Sequence, residues 1–163
     1  MLIYGAYGSN LSRNQMRLRC PRSKPLEGTI LKDWRLVFKG VADIEESMGE
    51  KVLLGLYKIT PNCEASLDLY EEYPKIYIKK KISLSINKKK IQVMFYVMKN
   101  TFKYGVPSQK YYNTIYKGYK DWGFDKSKLI KAGIHSINHN SFKVYKSKNW
   151  RNNNFINIKY LRD

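Results

Sequence analysis

A short apolar start, Met1-Leu2-Ile3-Tyr4-Gly5-Ala6, runs straight into Tyr7-Gly8-Ser9-Asn10. The apolar residues predict a buried strand over Leu2–Tyr7. Gly8 predicts a tight turn, and Ser9 or Asn10 can cap a helix that begins near Leu11. Strand end, turn and helix start aim several backbone N–H groups at one point, which suits a carboxylate or a phosphate. The same residues also satisfy a plain capped turn, so the motif alone names no ligand. It lacks the lysine of a P-loop and the spacing of a dinucleotide fingerprint.

A second feature lies downstream. Thr60 is a helix cap and Pro61 fits the first helical position, so the pattern predicts a helix over Pro61–Glu72 that Pro74 stops. Cys63, Leu67 and Glu71 recur every fourth residue and share a face. Glu71 is thus an acid on an apolar face. It also stands in the last turn, where the helix dipole disfavours negative charge by a few tenths of a kcal/mol or more. A carboxylate that breaks two local rules is a candidate site residue. The competing reading is an exposed acidic helix end.

The remaining pattern is mixed α and β. A short helix is expected over Ser12–Arg19, ended by Cys20-Pro21, and strands over Glu27–Leu31, Arg35–Phe38 and Lys51–Ile59. Ile76–Ile86 and Ile91–Met98 read as a hairpin turning at Asn87. Ser108 caps a helix through about Asp121, with Gly123 after it, and Asp125 starts another that ends near Gly133. Phe142–Tyr145 and Phe155–Tyr160 read as edge strands, with Asn152-Asn153-Asn154 as a loop between them.

A chain of 163 residues buries a full core without staples. The apolar start is shorter than a signal peptide and has no basic leader, and no apolar run approaches the roughly 18 residues that cross a membrane. The expectation is a cytoplasmic protein with Cys20 and Cys63 as reduced thiols. His135 and His139 are four apart, but Gly133 and the Ser-Ile-Asn run predict a loop there, so no metal site is expected. Charge is uneven. Residues 1–72 carry 10 basic and 10 acidic side chains, whereas residues 73–163 carry 21 and 3, so the whole +18 excess lies in the second half. Lys79-Lys80-Lys81 and Lys88-Lys89-Lys90 cluster on the predicted hairpin. Such a half either binds a polyanion, nucleic acid included, or is a solvated face.

An ordered set of segments carries a resemblance. Tyr7-Gly8-Ser9-Asn10 is followed by Trp34-Arg35-Leu36-Val37-Phe38 with Ala42-Asp43-Ile44, then by Gly55-Leu56-Tyr57-Lys58-Ile59-Thr60. Next come Leu67-Asp68-Leu69-Tyr70-Glu71 with Tyr73-Pro74 and Tyr77, then Phe95-Tyr96-Val97-Met98, and Pro107-Ser108 with Tyr111. From about Leu2 to about Ala132 the chain resembles the gamma-glutamylcyclotransferase family, of AIG2-like fold. The resemblance implies an α+β domain over 1–163: a small mixed β-barrel with flanking helices as core, and a basic C-terminal extension from about residue 133. It implies an enzyme that closes the glutamyl group of a γ-glutamyl amine or amino acid into 5-oxoproline, with Glu71 as general acid and base and no cofactor. The substrate would lie against Tyr4, Gly5, Ala6, Tyr7, Gly8, Ser9, Asn10, Tyr96 and Tyr111. Its partner is a small molecule, with no membrane, and the leaving amine and oligomeric state stay open. One departure stands out. The family has glycine after the glutamate, where this chain has Glu72; a positive φ there costs a non-glycine residue about 1 kcal/mol. Glu72 is also an alternative proton carrier. A reading from another class keeps the fold without the chemistry, as a module that binds an anionic partner through the pocket or the basic half.

Overall fold

The computed structural model describes residues 1–141, 144–150 and 154–161. At its centre lies β1 (Leu2–Ala6), whose Ile3, Tyr4 and Ala6 are buried. It runs antiparallel to β3 (Ala42–Ile59), with Leu2 opposite Ile59 and Ala6 opposite Gly55, and parallel to β5 (Lys89–Met98) at Tyr4 and Met94. The edges are β2 (Lys24–Phe38), antiparallel to β3, and β4 (Tyr77–Ile86), antiparallel to β5, so the order is β2-β3-β1-β5-β4. The class is α+β with a mixed sheet, as expected. The expected barrel does not close, because β2 and β4 do not pair. Side chains fill the gap instead. Trp34 of β2 meets Phe95 of β5 edge to face at 5.6 Å, and Lys80 of β4 lies over the Trp34 ring.

Two expected strands, Glu27–Leu31 and Arg35–Phe38, are halves of one strand. Its register shifts between Lys32 and Trp34, where Asp33 turns at φ 62 and accepts a hydrogen bond from the Gly49 N–H. β3 starts nine residues before the expected Lys51, because its polar first half pairs by charge and ladder: Arg35 donates from Nε to Glu45 at 2.8 Å.

The helices follow their caps. Ser12, rather than Ser9 or Asn10, caps α1 (Arg13–Arg19) by accepting from the Gln15 N–H, and Ser9–Leu11 form a 3₁₀ turn before it. Thr60 caps α2 (Pro61–Tyr70), Ser108 caps α3 (Gln109–Trp122), and Gly123 ends α3 at φ 66. α4 (Ser127–Asn138) continues past Gly133, against expectation. Its Leu129, Ala132, Gly133 and Ser136 form one buried stripe, and Ser136 satisfies its hydroxyl on the Gly133 carbonyl, so burial outweighs weak propensity. The expected tail strands do not form among the described residues. Phe155 makes one isolated bridge to Ser108, and Ile158–Tyr160 is a 3₁₀ turn. Phe142, Lys143, Asn152 and Asn153 lie outside the described residues.

α3 holds the turn after β1. A Cβ at Gly118 would stand 2.5 Å from Leu11 Cβ and 2.7 Å from the Leu11 and Ser12 backbone, and Trp122 Nε1 donates to the Leu11 carbonyl at 2.8 Å. Gly118→Ala should therefore destabilise the fold by about 1–3 kcal/mol, although alanine is the better helix former by about 1 kcal/mol. Urea unfolding checks this; a variant as stable as wild type would refute the close approach.

Candidate active site

α2 ends one residue before Glu71, which is its C-cap at φ −82. Glu72 follows at φ 52, its N–H bonded to the Leu69 carbonyl, while the Tyr73 N–H reaches Asp68 O. This is the left-handed Schellman stop that normally takes glycine, and it ends the helix two residues short of the expected boundary. Glu71 keeps a right-handed helical backbone, so its side chain extends the buried Cys63–Leu67 face into a cavity of about 40 Å³, lined by the turn after β1 and by aromatic residues.

Because Ser12 takes the helix cap, Ser9 and Asn10 are left to face this cavity. Asn10 Nδ2 donates to the Tyr4 hydroxyl at 3.0 Å and to Glu71 Oε1 at 3.3 Å. Arg19 donates to Asn10 Oδ1 and, at 3.2 Å, to Ser9 Oγ, and its guanidinium stacks 3.5 Å over the Tyr70 ring. The amide of Asn10 is thus oriented: its oxygen is taken by Arg19, so its NH₂ meets the carboxylate. Gly8 has φ −108, so no left-handed turn requires glycine there. The need is for space, since a Cβ would stand 3.3 Å from both Ala42 Cβ and the Tyr111 hydroxyl.

The walls are tyrosines whose hydroxyls are engaged elsewhere. Tyr7 donates to the Tyr96 carbonyl at 2.6 Å, Tyr77 to the Ala42 carbonyl at 2.7 Å, and Tyr96 to Asp68 Oδ1 at 2.6 Å. Tyr111 accepts from the Ala42 N–H at 2.9 Å. Burial pushes the Glu71 carboxyl up to about 7, against the opposing field of Arg19. Burial likewise raises the phenols of Tyr4, Tyr7 and Tyr111 well above their ordinary value, which keeps them neutral.

Of the residues singled out from the sequence, Tyr4, Tyr7, Gly8, Ser9, Asn10, Glu71, Tyr96 and Tyr111 meet at this cavity. Gly5 and Ala6 do not line it; they pair with Leu56 and Gly55 inside the sheet. Cys20 and Cys63 are buried and unbridged away from the cavity, and burial pushes the Cys20 thiol up to about 12, which disfavours a nucleophilic thiolate. His135 of α4 and His139, its C-cap, stack at 4.3 Å, and no cluster of three or more His, Cys, Asp or Glu placed to hold a metal ion occurs among the described residues. The six lysines do share one hairpin, but they are divided. Lys79 is bonded to Glu64 and Asp68, and Lys80 covers Trp34, while Lys88–Lys90 stand at the far tip.

The gamma-glutamyl cyclotransferase, AIG2-like family matches residues 4–122, which span the β1 turn, Glu71 and α3. The chain belongs to this family. Among solved structures it is similar to a protein described as gamma-glutamyl cyclotransferase, at 25% identity and a TM-score of 0.72, over 91% of this chain and 94% of that one. It is also similar to loc79017 from Homo sapiens (23%, TM-score 0.68, 90% and 93% of the two chains). YkqA from Bacillus subtilis shares the fold at 18% identity and a TM-score of 0.69, over 86% of this chain but 55% of its own. No match is found among curated proteins. No described helix is long and apolar enough to cross a membrane.

Within this family framework, sequence reasoning missed Arg19, Tyr70, Tyr77 and the segment Tyr145–Trp150, all at or beside the cavity. Arg19 sits in the last turn of α1, where a cation needs no further reason than the dipole. Tyr70 was visible only as the neighbour of Glu71. Arg19→Gln should remove the field that lowers the Glu71 pKa and free the Asn10 amide, so the Glu71 carboxyl should titrate above its wild-type value. Carbon NMR of labelled glutamate reads this directly; an unchanged or lower value would contradict the coupling.

Proposed function

We propose that the chain cyclises the glutamyl group of a γ-glutamyl amine or amino acid to 5-oxoproline and releases the amine. One observation carries this reading: a glutamate raised to about 7 by burial, facing the β1 turn of a chain from this family. The substrate's own α-amine attacks its γ-carbonyl carbon. The new C–N bond closes a five-membered ring, and the bond to the γ-nitrogen breaks. Because the nucleophile is part of the substrate, the protein supplies orientation and proton transfer. Glu71, ionised, takes a proton from the α-ammonium and returns it to the departing nitrogen. A carboxyl with a pKa near neutrality suits both halves of that task. The backbone of Tyr7, Gly8 and Ser9 steadies the glutamyl carboxylate or the oxygen that gains charge. Asn10, bonded also to the Tyr4 hydroxyl, holds Glu71 in place, and Tyr4, Tyr96 and Tyr111 shape the space for the folded substrate. No step calls for a metal or organic cofactor.

The alternative, a non-catalytic module for an anionic partner, draws on the +18 of residues 73–163. The division of the hairpin lysines counts against a single polyanion patch there, since Lys79 and Lys80 are already partnered.

A panel of γ-glutamyl compounds assayed for 5-oxoproline tests the reading. Glu71→Gln should lower turnover about 100-fold or more, with 5-oxoproline affinity nearly unchanged, and Glu72→Gln should do far less. Equal losses would reject the assignment to Glu71. The acid limb of kcat against pH should fall near 7, because the base must be ionised. Stability follows the same group with the opposite demand. A carboxyl raised in the fold from 4.5 to about 7 contributes most below pH 4.5, and its contribution is lost as pH rises through 7. Glu71→Gln should therefore melt above wild type at about pH 8, with the gap closing in acid.

Gly8→Val should abolish 5-oxoproline binding measured by calorimetry while circular dichroism stays native. The added methyls would meet Ala42 and the Tyr111 hydroxyl and crowd the turn. Full affinity in a folded variant would move the anion site elsewhere.

A further inference from the structure

Glu72 occupies a position that glycine fits better, at φ 52. Its carboxylate is engaged on both oxygens by one distant segment: Tyr145 donates its hydroxyl to Oε2, and Lys148 Nζ lies 3.5 Å from Oε1. That segment, Val144–Trp150, joins no sheet. Four of its residues, Tyr145, Ser147, Asn149 and Trp150, line the Glu71 cavity.

The two ends of the segment are held differently. At its start the chain is packed against glycines: a Cβ at Gly105 would stand 2.0 Å from Val144 Cγ1, and one at Gly40 2.4 Å from the Tyr145 carbonyl oxygen. The Tyr145 ring also meets Phe102 edge to face at 5.5 Å. At the other end the contacts are side-chain tips. Trp150 Nε1 donates to the Tyr70 hydroxyl, Asn149 Nδ2 to the Tyr70 carbonyl at 3.5 Å, and the Trp150 ring meets Tyr111 at 5.0 Å. Beneath them remains about 40 Å³. That is room for a few waters, against roughly 300 Å³ at the low end for small-molecule sites.

We infer that Glu72 is a positioning residue that fastens Val144–Trp150 as a strap across the mouth of the Glu71 cavity, and that a γ-glutamyl compound enters when the Trp150 end of the strap lifts. This rests on the functional reading above for the ligand, but not for the strap. The Val144–Tyr145 backbone is one hinge and Asn154–Ile156, bonded to the Gln109 N–H and the Pro107 carbonyl, is the other. The bonds of the Tyr145 hydroxyl and Lys148 to Glu72, and of Asn149 and Trp150 to Tyr70, are the catch. The fastened form competes with ligand, so apparent affinity is reduced by the fraction of molecules that are open. Glu72 thereby acts on binding and leaves proton transfer to Glu71.

The test uses the full chain with Glu72→Gly and Glu72→Gln. Glycine suits φ 52, so the first variant releases the catch without threatening the fold. Acrylamide quenching of Trp150, isolated by subtracting the matching Trp150→Phe protein, should rise about threefold or more in Glu72→Gly and less in Glu72→Gln, which still accepts from Tyr145. In Glu72→Gly, 5-oxoproline should bind about threefold or more tighter, and KM should fall by a similar factor while kcat moves less than about twofold. Unchanged quenching would overturn the strap. Raised quenching with weaker binding or a higher KM would show a wall that holds substrate and overturn the gate. A wild-type protein that neither binds nor releases 5-oxoproline would remove the functional reading, and the quenching comparison would still decide the strap.

Discussion

Everything in this site depends on keeping one carboxylate poorly solvated. Tyrosines surround Glu71, yet among the described residues the hydroxyls of Tyr7, Tyr77, Tyr96 and Tyr111 engage backbone groups or Asp68, and Asn10 alone bonds the Glu71 carboxylate, at 3.3 Å. A carboxylate with two or three good donors would be held ionised well below neutrality. Here a single long bond and the field of Arg19 oppose burial and do not overcome it. The tyrosines therefore serve as apolar walls with polar pins, bonding away from the group they enclose.

The pins also fix the opposite wall. Ala42 gives its N–H to Tyr111 and its carbonyl to Tyr77, so one residue ties β3 to both sides of the cavity. Next to it Asp43 is buried, paired with Lys39 at 2.6 Å and accepting from the Met98 N–H at 2.8 Å. Burial raises the Asp43 carboxyl despite that lysine. A pair of this kind adds little net stability over an apolar substitute, but losing one partner strands a buried charge. Its contribution is to hold the start of β3 against the end of β5, and so to set the position of Ala42.

The local signals that were legible in the sequence are those with short-range causes. Thr60-Pro61, Ser108 and Gly123 act within a few residues, and the helices start or stop on them. The odd placement of Glu71 was legible because helical spacing is local. The first half of β3 was not, since Glu45 and Glu46 look like a loop until Arg35 and Trp34 stand opposite them. The helix cap was misplaced because Ser9, Asn10 and Ser12 are all good capping residues. The choice between them came from Arg19 and Tyr70, which hold Ser9 and Asn10 elsewhere. Likewise Tyr145–Trp150 carries no periodicity, and its place over the cavity is written in glycines at 40 and 105, over a hundred and about forty residues away.

Glu71 and Glu72 show how neighbouring residues of one type acquire different work. The helix stop rotates the chain between them. One carboxylate enters an aromatic cavity beside a cation that it does not directly pair with, and the other turns outward to Tyr145 and Lys148. With glycine at position 72 the same stop would form at lower backbone cost, about 1 kcal/mol, and Tyr145 and Lys148 would lose their carboxylate partner. Helical spacing aims Glu71 inward, and the left-handed turn at Glu72 aims the next carboxylate at the tail. Cavity and cover are thus joined through two adjacent residues, one carboxylate facing the cavity and the other bonded to the segment that lines its far side.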